Sequence, residues 1–182
     1  MAESPVMAGL LPTRKCRLED LNAIMALQDI VCRSIESQEL FVPTQREENA
    51  NYLKEPNFIL GCFQGERLIA YCSFAVPGEG SDNLGWDLGW PPEKVRACAR
   101  LDTIAVHPDY RGGFQQKLIY DAIALAAENH DIQYVLTTVS PQNEHSLHNV
   151  QAMGFEVLTK KLKYGGKERL ILGRALVLPC NR

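Results

Sequence analysis

The chain has 182 residues, enough for one domain with one sizeable core. Its residues are 46% hydrophobic and 23% charged, an ordinary globular composition. The net charge is -3 with no long basic run and no apolar stretch of transmembrane length, which argues against nucleic acid and membrane as partners.

Residues 1–13 lack the basic start and long apolar centre of a signal peptide and read as a flexible tail before a single domain over 14–182. Lys15 to Leu18 reads as a short first strand. A helix follows from about Glu19 to Ile35, with Leu21, Ile24, Met25, Leu27, Ile30 and Val31 as its apolar stripe. Thr44-Gln45-Arg46-Glu47 has the pattern of a capping box and opens a second helix, which ends near Lys54 ahead of Pro56. Phe58 to Phe63 and Leu68 to Ala75 are expected strands, joined by a hairpin turn at Gln64-Gly65-Glu66. Pro77 to Pro92 has little periodicity. Its Trp86 and Trp90, with Asp82 and Asp87, suit an acceptor pocket for a cationic amine, and equally well a surface loop folded on its own tryptophans. Arg100 to Val106 reads as the central strand and Gln115 to His130 as a helix with Leu118, Ala122, Leu125 and Ala126 on one face. Tyr134 to Val139 is a strand, and Asn143 to Met153 a last helix with Asn143 as its N-cap. Glu156 to Lys163 and Arg169 to Arg174 pair around Gly165-Gly166. This alternation predicts an α/β (α+β) three-layer domain.

None of the six cysteines, Cys16, Cys32, Cys62, Cys72, Cys98 and Cys180, forms a Cys-x-x-Cys pair, so they read as reduced thiols of a cytoplasmic protein. His145 and His148 stand one helical turn apart without an evident third ligand, so no metal is expected.

The densest chemical signal is Val106-His107-Pro108-Asp109-Tyr110-Arg111-Gly112-Gly113-Phe114-Gln115-Gln116. An apolar strand stops at Pro108, a basic glycine turn follows, and a helix opens. The first N–H groups of a helix lack internal partners and favour anions. Glycine lets a phosphate approach the backbone, and Arg111 adds a guanidinium that forks onto phosphate oxygens. The local reading is a pyrophosphate cradle.

The segment resembles the acyl-CoA loop of the GNAT superfamily of N-acyltransferases, in which an apolar strand leads to Arg-x-x-Gly-x-Gly/Ala at a helix start. Arg17 to Leu21 resembles the family's first strand-to-helix junction. Asn143-Glu144-His145-Ser146 with Gly154-Phe155 resembles a later helix segment, and Tyr164 to Leu172 its last hairpin. The likeness spans roughly Arg14 to Leu176 and implies a mixed central sheet flanked by helices, with acetyl-CoA as co-substrate and no metal. Two alignments of the loop remain. Without a gap, Phe114 falls on the central Gly and Gln116 on the final small residue. One deletion puts Gly113 and Gln115 there instead, which suits the backbone freedom of glycine better. Either way a Gln stands where a small residue is usual. The Tyr that many members carry as proton donor to the thiolate is Val150 here.

The resemblance implies roles for further residues. The backbone N–H of Val106 would polarise the thioester carbonyl, and the pantetheine arm would run along Ile104, Ala105 and Val106. Asn143, with Ser146 one turn on, would hydrogen-bond it. Strand alternation puts Arg100, Asp102, Ile104 and Val106 on one face. A carboxylate there needs a reason: Asp102 is either the general base or an ion-pair partner of Arg100. Tyr164 reaches the site only if the last hairpin folds over it. Trp86 and Trp90 are candidate substrate contacts. The expected activity is transfer of an acetyl group from acetyl-CoA to a primary amine of a small molecule or amino-acid-like substrate. The alternative is a catalytically weak acyl-CoA-binding module. A homodimer is left open.

Overall fold

The computed structural model describes residues 11–37, 39–110 and 112–176. The strands are β1 (Thr13–Lys15), β2 (Phe58–Gln64), β3 (Arg67–Ala75), β4 (Cys98–Val106), β5 (Tyr134–Val139), β6 (Glu156–Lys163) and β7 (Lys167–Ala175). They form one seven-stranded mixed sheet in the order β1-β2-β3-β4-β5-β7-β6. Among the described residues only β4 and β5 are parallel; the other neighbours are antiparallel.

Helices cover both faces. On one lie α1 (Leu21–Ser34) and α2 (Arg46–Tyr52); on the other lie α5 (Phe114–Ala126) and α6 (Glu144–Ala152). The short α3 (Leu84–Asp87) and α4 (Pro92–Arg96) precede β4. A strand between two helical layers is apolar on both sides, and β3 is buried from Leu68 to Ala75 without a break. The residues of β2 and β3 divide between the layers. Ile59, Leu68 and Tyr71 pack with Ile24, Leu27 and Val31 of α1. Leu60, Ile69, Cys72 and Phe74 pack with Leu118, Ile119 and Ala122 of α5. The expected three-layer arrangement is present.

Three local expectations are corrected. The first strand lies at Thr13–Lys15, ahead of the predicted Lys15 to Leu18, because Leu18–Asp20 turns into a short 3-10 helix. Asp20 fixes that turn: its carboxylate accepts from Arg17 N–H at 2.8 Å and pairs with Arg14 at 2.8 Å. Thr44 does not cap α2; Gln45 is the N-cap, without a side-chain bond. The buried amide of Gln28 holds Thr44 by its backbone N–H and C=O, both at 2.9 Å, and the Thr44 hydroxyl meets that of Thr103 at 2.8 Å. The strict alternation expected along β4 also fails. Cys72 pairs with Ile104 and Phe74 with Leu101, so Asp102 and Thr103 together stand opposite Ser73. This bulge resets the side-chain period. Ile104 and Val106 join Ala99 and Leu101 on the α5 face, while Arg100 and Asp102 turn toward Tyr52 of α2.

The bulge sits where β4 leaves its parallel neighbour. β4 and β5 pair only at Cys98 with Tyr134, Ala99 with Val135 and Arg100 with Leu136. Beyond Arg100 the strands part, while β5 stays paired to β7 as far as Val139. The result is a V-shaped gap at the C-terminal end of the central strand.

Among the described cysteines, Cys16, Cys62, Cys72 and Cys98 are buried. Burial pushes the thiols of Cys62 and Cys98 up to about 11. Cys180 lies outside the described residues. No helix of the described residues is long and apolar enough to cross a membrane.

Candidate active site

A cleft of about 330 Å³ occupies the gap. β4 contributes Asp102, Thr103 and Ile104 to it, β5 contributes Thr137 to Val139, and α6 with its cap contributes Asn143, Ser146 and Val150. The Leu40 to Thr44 segment, Glu48, Asp82, Arg100, Ser140, Tyr164 and Arg169 complete its lining.

Its floor carries a charged network. The Arg100 side chain is 9% exposed. Its Nε lies 2.9 Å from Asp102 Oδ1, an ion pair without hydrogen-bond alignment. Its Nη1 donates to the Asp82 carbonyl at 2.8 Å and carboxylate at 3.2 Å, and its Nη2 to Tyr52 Oη at 2.7 Å. Burial opposes the charge on Arg100, but Asp102, Tyr52 and Asp82 together outweigh it and hold its pKa above the ordinary value. The Tyr52 hydroxyl stands 2.7 Å from Glu48 and 3.2 Å from Asp102. Burial first, and the Asp102 charge second, push its pKa up, so it keeps its proton. The ion pair expected as one reading of Asp102 is therefore present. The same carboxylate also lines the cleft.

At the far end of β4, His107 N–H donates to Ile69 C=O at 2.8 Å. Backbone N–H groups alternate along an antiparallel strand, so Val106, opposite Ala70, turns its N–H away from β3 toward the gap. Ile104 lines the cleft, whereas Ala105 is buried against Tyr71 and offers only backbone. Arg111 lies outside the described residues. Gly112 and Gly113 have φ of +99° and +92°, which a side-chain-bearing residue resists. Gly113 is the N-cap of α5, and Phe114 sits in the core below. Gly113 thus takes a backbone geometry that Phe would resist, the ground on which the sequence favours the shorter loop alignment. The first helical bond runs from Lys117 N–H to Gly113 C=O at 2.9 Å, so the N–H groups of Phe114, Gln115 and Gln116 precede any intrahelical acceptor.

The two glutamines where the pattern has small residues turn sideways onto α6. Gln115 donates to Ser146 Oγ and accepts from Asn149, both at 2.9 Å, and Gln116 donates to Asn149 at 3.0 Å. They brace α5 against α6. Asn143 caps α6 by accepting from Ser146 N–H at 3.0 Å and donates to Leu40 C=O at 3.3 Å.

The last hairpin does fold over the gap. Tyr164 lines the cleft with its hydroxyl 3.1 Å from that of Thr138. The two tryptophans are a correction: neither lines the cleft. Trp86 donates to Gly80 C=O at 3.1 Å from a partly exposed position. The Trp90 ring meets Tyr134 at 5.2 Å, with Lys94 over it at 3.5 Å. Tyr134 opens β5, where β4 and β5 are still paired, so the loop covers the closed end of the V. Of its acids, Asp82 reaches the cleft and Asp87 instead pairs with Lys163 at 2.7 Å. Glu48, Tyr52 and Arg169 were not foreseen. The helix predicted to open at Thr44 was the only available signal for the first two.

Comparison with known proteins defines the class. The profile of the Acetyltransferase (GNAT) family matches residues 21–155, and the chain belongs to that family, whose members use acetyl-CoA. An amino-acid acetyltransferase of Vibrio atlanticus is 26% identical over 158 residues, covering 82% of this chain and 28% of that protein. The chain thus spans little more than a quarter of that relative's length. A GNAT-family acetyltransferase of Streptococcus pneumoniae shares the fold at a TM-score of 0.70 and 16% identity, covering 91% of this chain and 99% of that one. The Salmonella typhimurium protein yncA, solved with its cofactor acetyl-CoA, does so at 0.69 and 15%, covering 94% and 97%.

Proposed function

We propose that the chain is an N-acetyltransferase that moves an acetyl group from acetyl-CoA to a primary amine of a small molecule or amino-acid-like substrate by direct attack. The parting of β4 from β5 beyond Arg100 supports this most. It offers an extended partner for the pantetheine amides and aims the Val106 N–H at the gap. The pyrophosphate would sit at the Gly112–Gly113 turn and the start of α5, with Arg111 as its proposed charge partner.

In the transfer, the amine nitrogen bonds to the thioester carbon and the carbon–sulfur bond breaks. The Val106 N–H stabilises the charge that gathers on the carbonyl oxygen. Asp102 takes the proton the amine loses. Tyr52 then accepts it from Asp102 and passes its own hydroxyl proton to Glu48, which is half-exposed and returns it to solvent. Tyr164, which lines the cleft, gives its proton to the departing thiolate in this reading.

Incubation with acetyl-CoA and a broad amine panel, read as free thiol and N-acetylated product by mass, tests the reading. Amine-dependent thiol release is expected. Saturable CoA binding without thiol release from any amine would make the chain an acyl-CoA-binding module instead.

The relay carries its own prediction. Tyr52→Phe should lower kcat about 10-fold, a part of what general base catalysis supplies. It also strips an acceptor from buried Arg100, so thermal unfolding should show a loss of about 1–3 kcal/mol. Unchanged kcat in the folded variant would remove Tyr52 from the proton path.

A further inference from the structure

Arg169 is a buried cation of a different kind from Arg100. It is 4% exposed, lies on β7 and lines the cleft. Its Nη1 donates to Glu168 C=O at 2.7 Å and its Nη2 to Glu39 C=O at 2.8 Å. Its guanidinium carbon lies 5.9 Å from the centre of the Tyr164 ring. These contacts are to neutral groups. Arg100 has three carboxylates within ion-pair reach, Asp102, Asp82 and Glu48, whereas no carboxylate among the described residues lies within that reach of Arg169. A buried charge without a counter-charge is costly. The two carbonyls hold the guanidinium in place and leave part of its fork of donors over.

The charges are divided across the cleft. The carboxylates of Asp102, Asp82 and Glu48 stand with Arg100 on the side of β4 and α2. Arg169 stands on the side of β7, near the ring of Tyr164. We propose that Arg169 anchors a carboxylate of the acceptor, so that the substrate is a free amino acid held by its acid group with its amine toward Asp102. The proposal rests on the transfer reading above. The co-substrate is not the counter-charge in that reading, because its pantetheine arm is neutral and its phosphates, the 3′-phosphate included, are all at its nucleotide end, which the reading puts at Gly112 and Gly113.

The experiment compares free L-amino acids of differing side chains with their α-amides, which keep the amine and lose the acid. Wild-type protein should show kcat/KM about 10–100-fold higher for the acids, the range expected for one charge-assisted pair. Arg169→Gln should collapse that ratio toward one by raising KM for the acid, and Arg169→Lys should restore part of it. Equal use of acids and amides by wild type would overturn the proposal, as would an equal loss for both in a folded Arg169→Gln. If that variant does not fold, the wild-type ratio alone decides. If no amine supports thiol release, calorimetry on CoA-loaded protein separates the two ideas. Preferential binding of acids over amides would uphold the anchor while the transfer reading fails. Absence of that preference would overturn the anchor as well.

Discussion

Asp102→Asn is expected to lower turnover at neutral pH by about 10²–10⁴-fold, the usual contribution of a positioned base. The side chain keeps its size and loses its capacity to hold the amine's proton. The defect should shrink as pH rises, because more of the acceptor amine is then already neutral. A structural cost accompanies it. Removing one partner of a buried ion pair costs about 3–5 kcal/mol when the remaining charge is left alone. Arg100 would retain Asp82 and Glu48, whose side chains are 58% and 48% exposed, so the loss should fall below that range. Rates are therefore to be compared well below the unfolding transition of both proteins. Loss of stability with full turnover per folded molecule would leave Asp102 as a partner of Arg100 and no more.

Gly113→Val should weaken CoA binding on the order of 10²-fold. Gly113 adopts φ +92° as N-cap of α5, a conformation that strains a branched residue by about 1–3 kcal/mol. A side chain there would also stand where the pyrophosphate is proposed to approach the first N–H groups of α5. Gly65→Val separates strain from contact. Gly65 has φ +59°, and nothing lies within 4 Å of a side-chain atom built on it, at a hairpin tip between β2 and β3. That variant should lose comparable stability and keep its CoA affinity. Equal affinity loss in both variants would mean that strain alone acts, and the cradle at Gly113 would be withdrawn.

Much of the fold was legible because local pattern and tertiary role agree. The apolar run of β3, the stripe of α1 and the cap at Asn143 each answer to a rule that spans only a few residues. The stripe had one telling error: Gln28 replaces Ile30 on the buried face, since its amide satisfies the backbone of Thr44. The bulge at Asp102 and Thr103 was hidden because no glycine marks it. The side chains it redirects bond to residues of other elements, Thr44 and Tyr52. The site was legible where the backbone makes it. The glycine turn and the end of β4 carry their chemistry in the order of residues. It was not legible where distant elements converge. Tyr52, Glu48 and Arg169 are ordinary residues of a helix and a strand until the sheet brings them to one cleft. Trp86 and Trp90 misled because composition says which contacts a loop favours and not which end of the sheet it covers.

Amide hydrogen exchange along β4 with and without CoA tests most directly whether the gap is the thioester site. The Ile104 and Val106 N–H groups face the gap, whereas that of His107 is already bonded to Ile69. CoA should slow exchange at Ile104, Val106 and the first residues of α5, with no comparable change at His107 or in β2. Saturating CoA that leaves Val106 and the start of α5 exchanging as before would contradict the account.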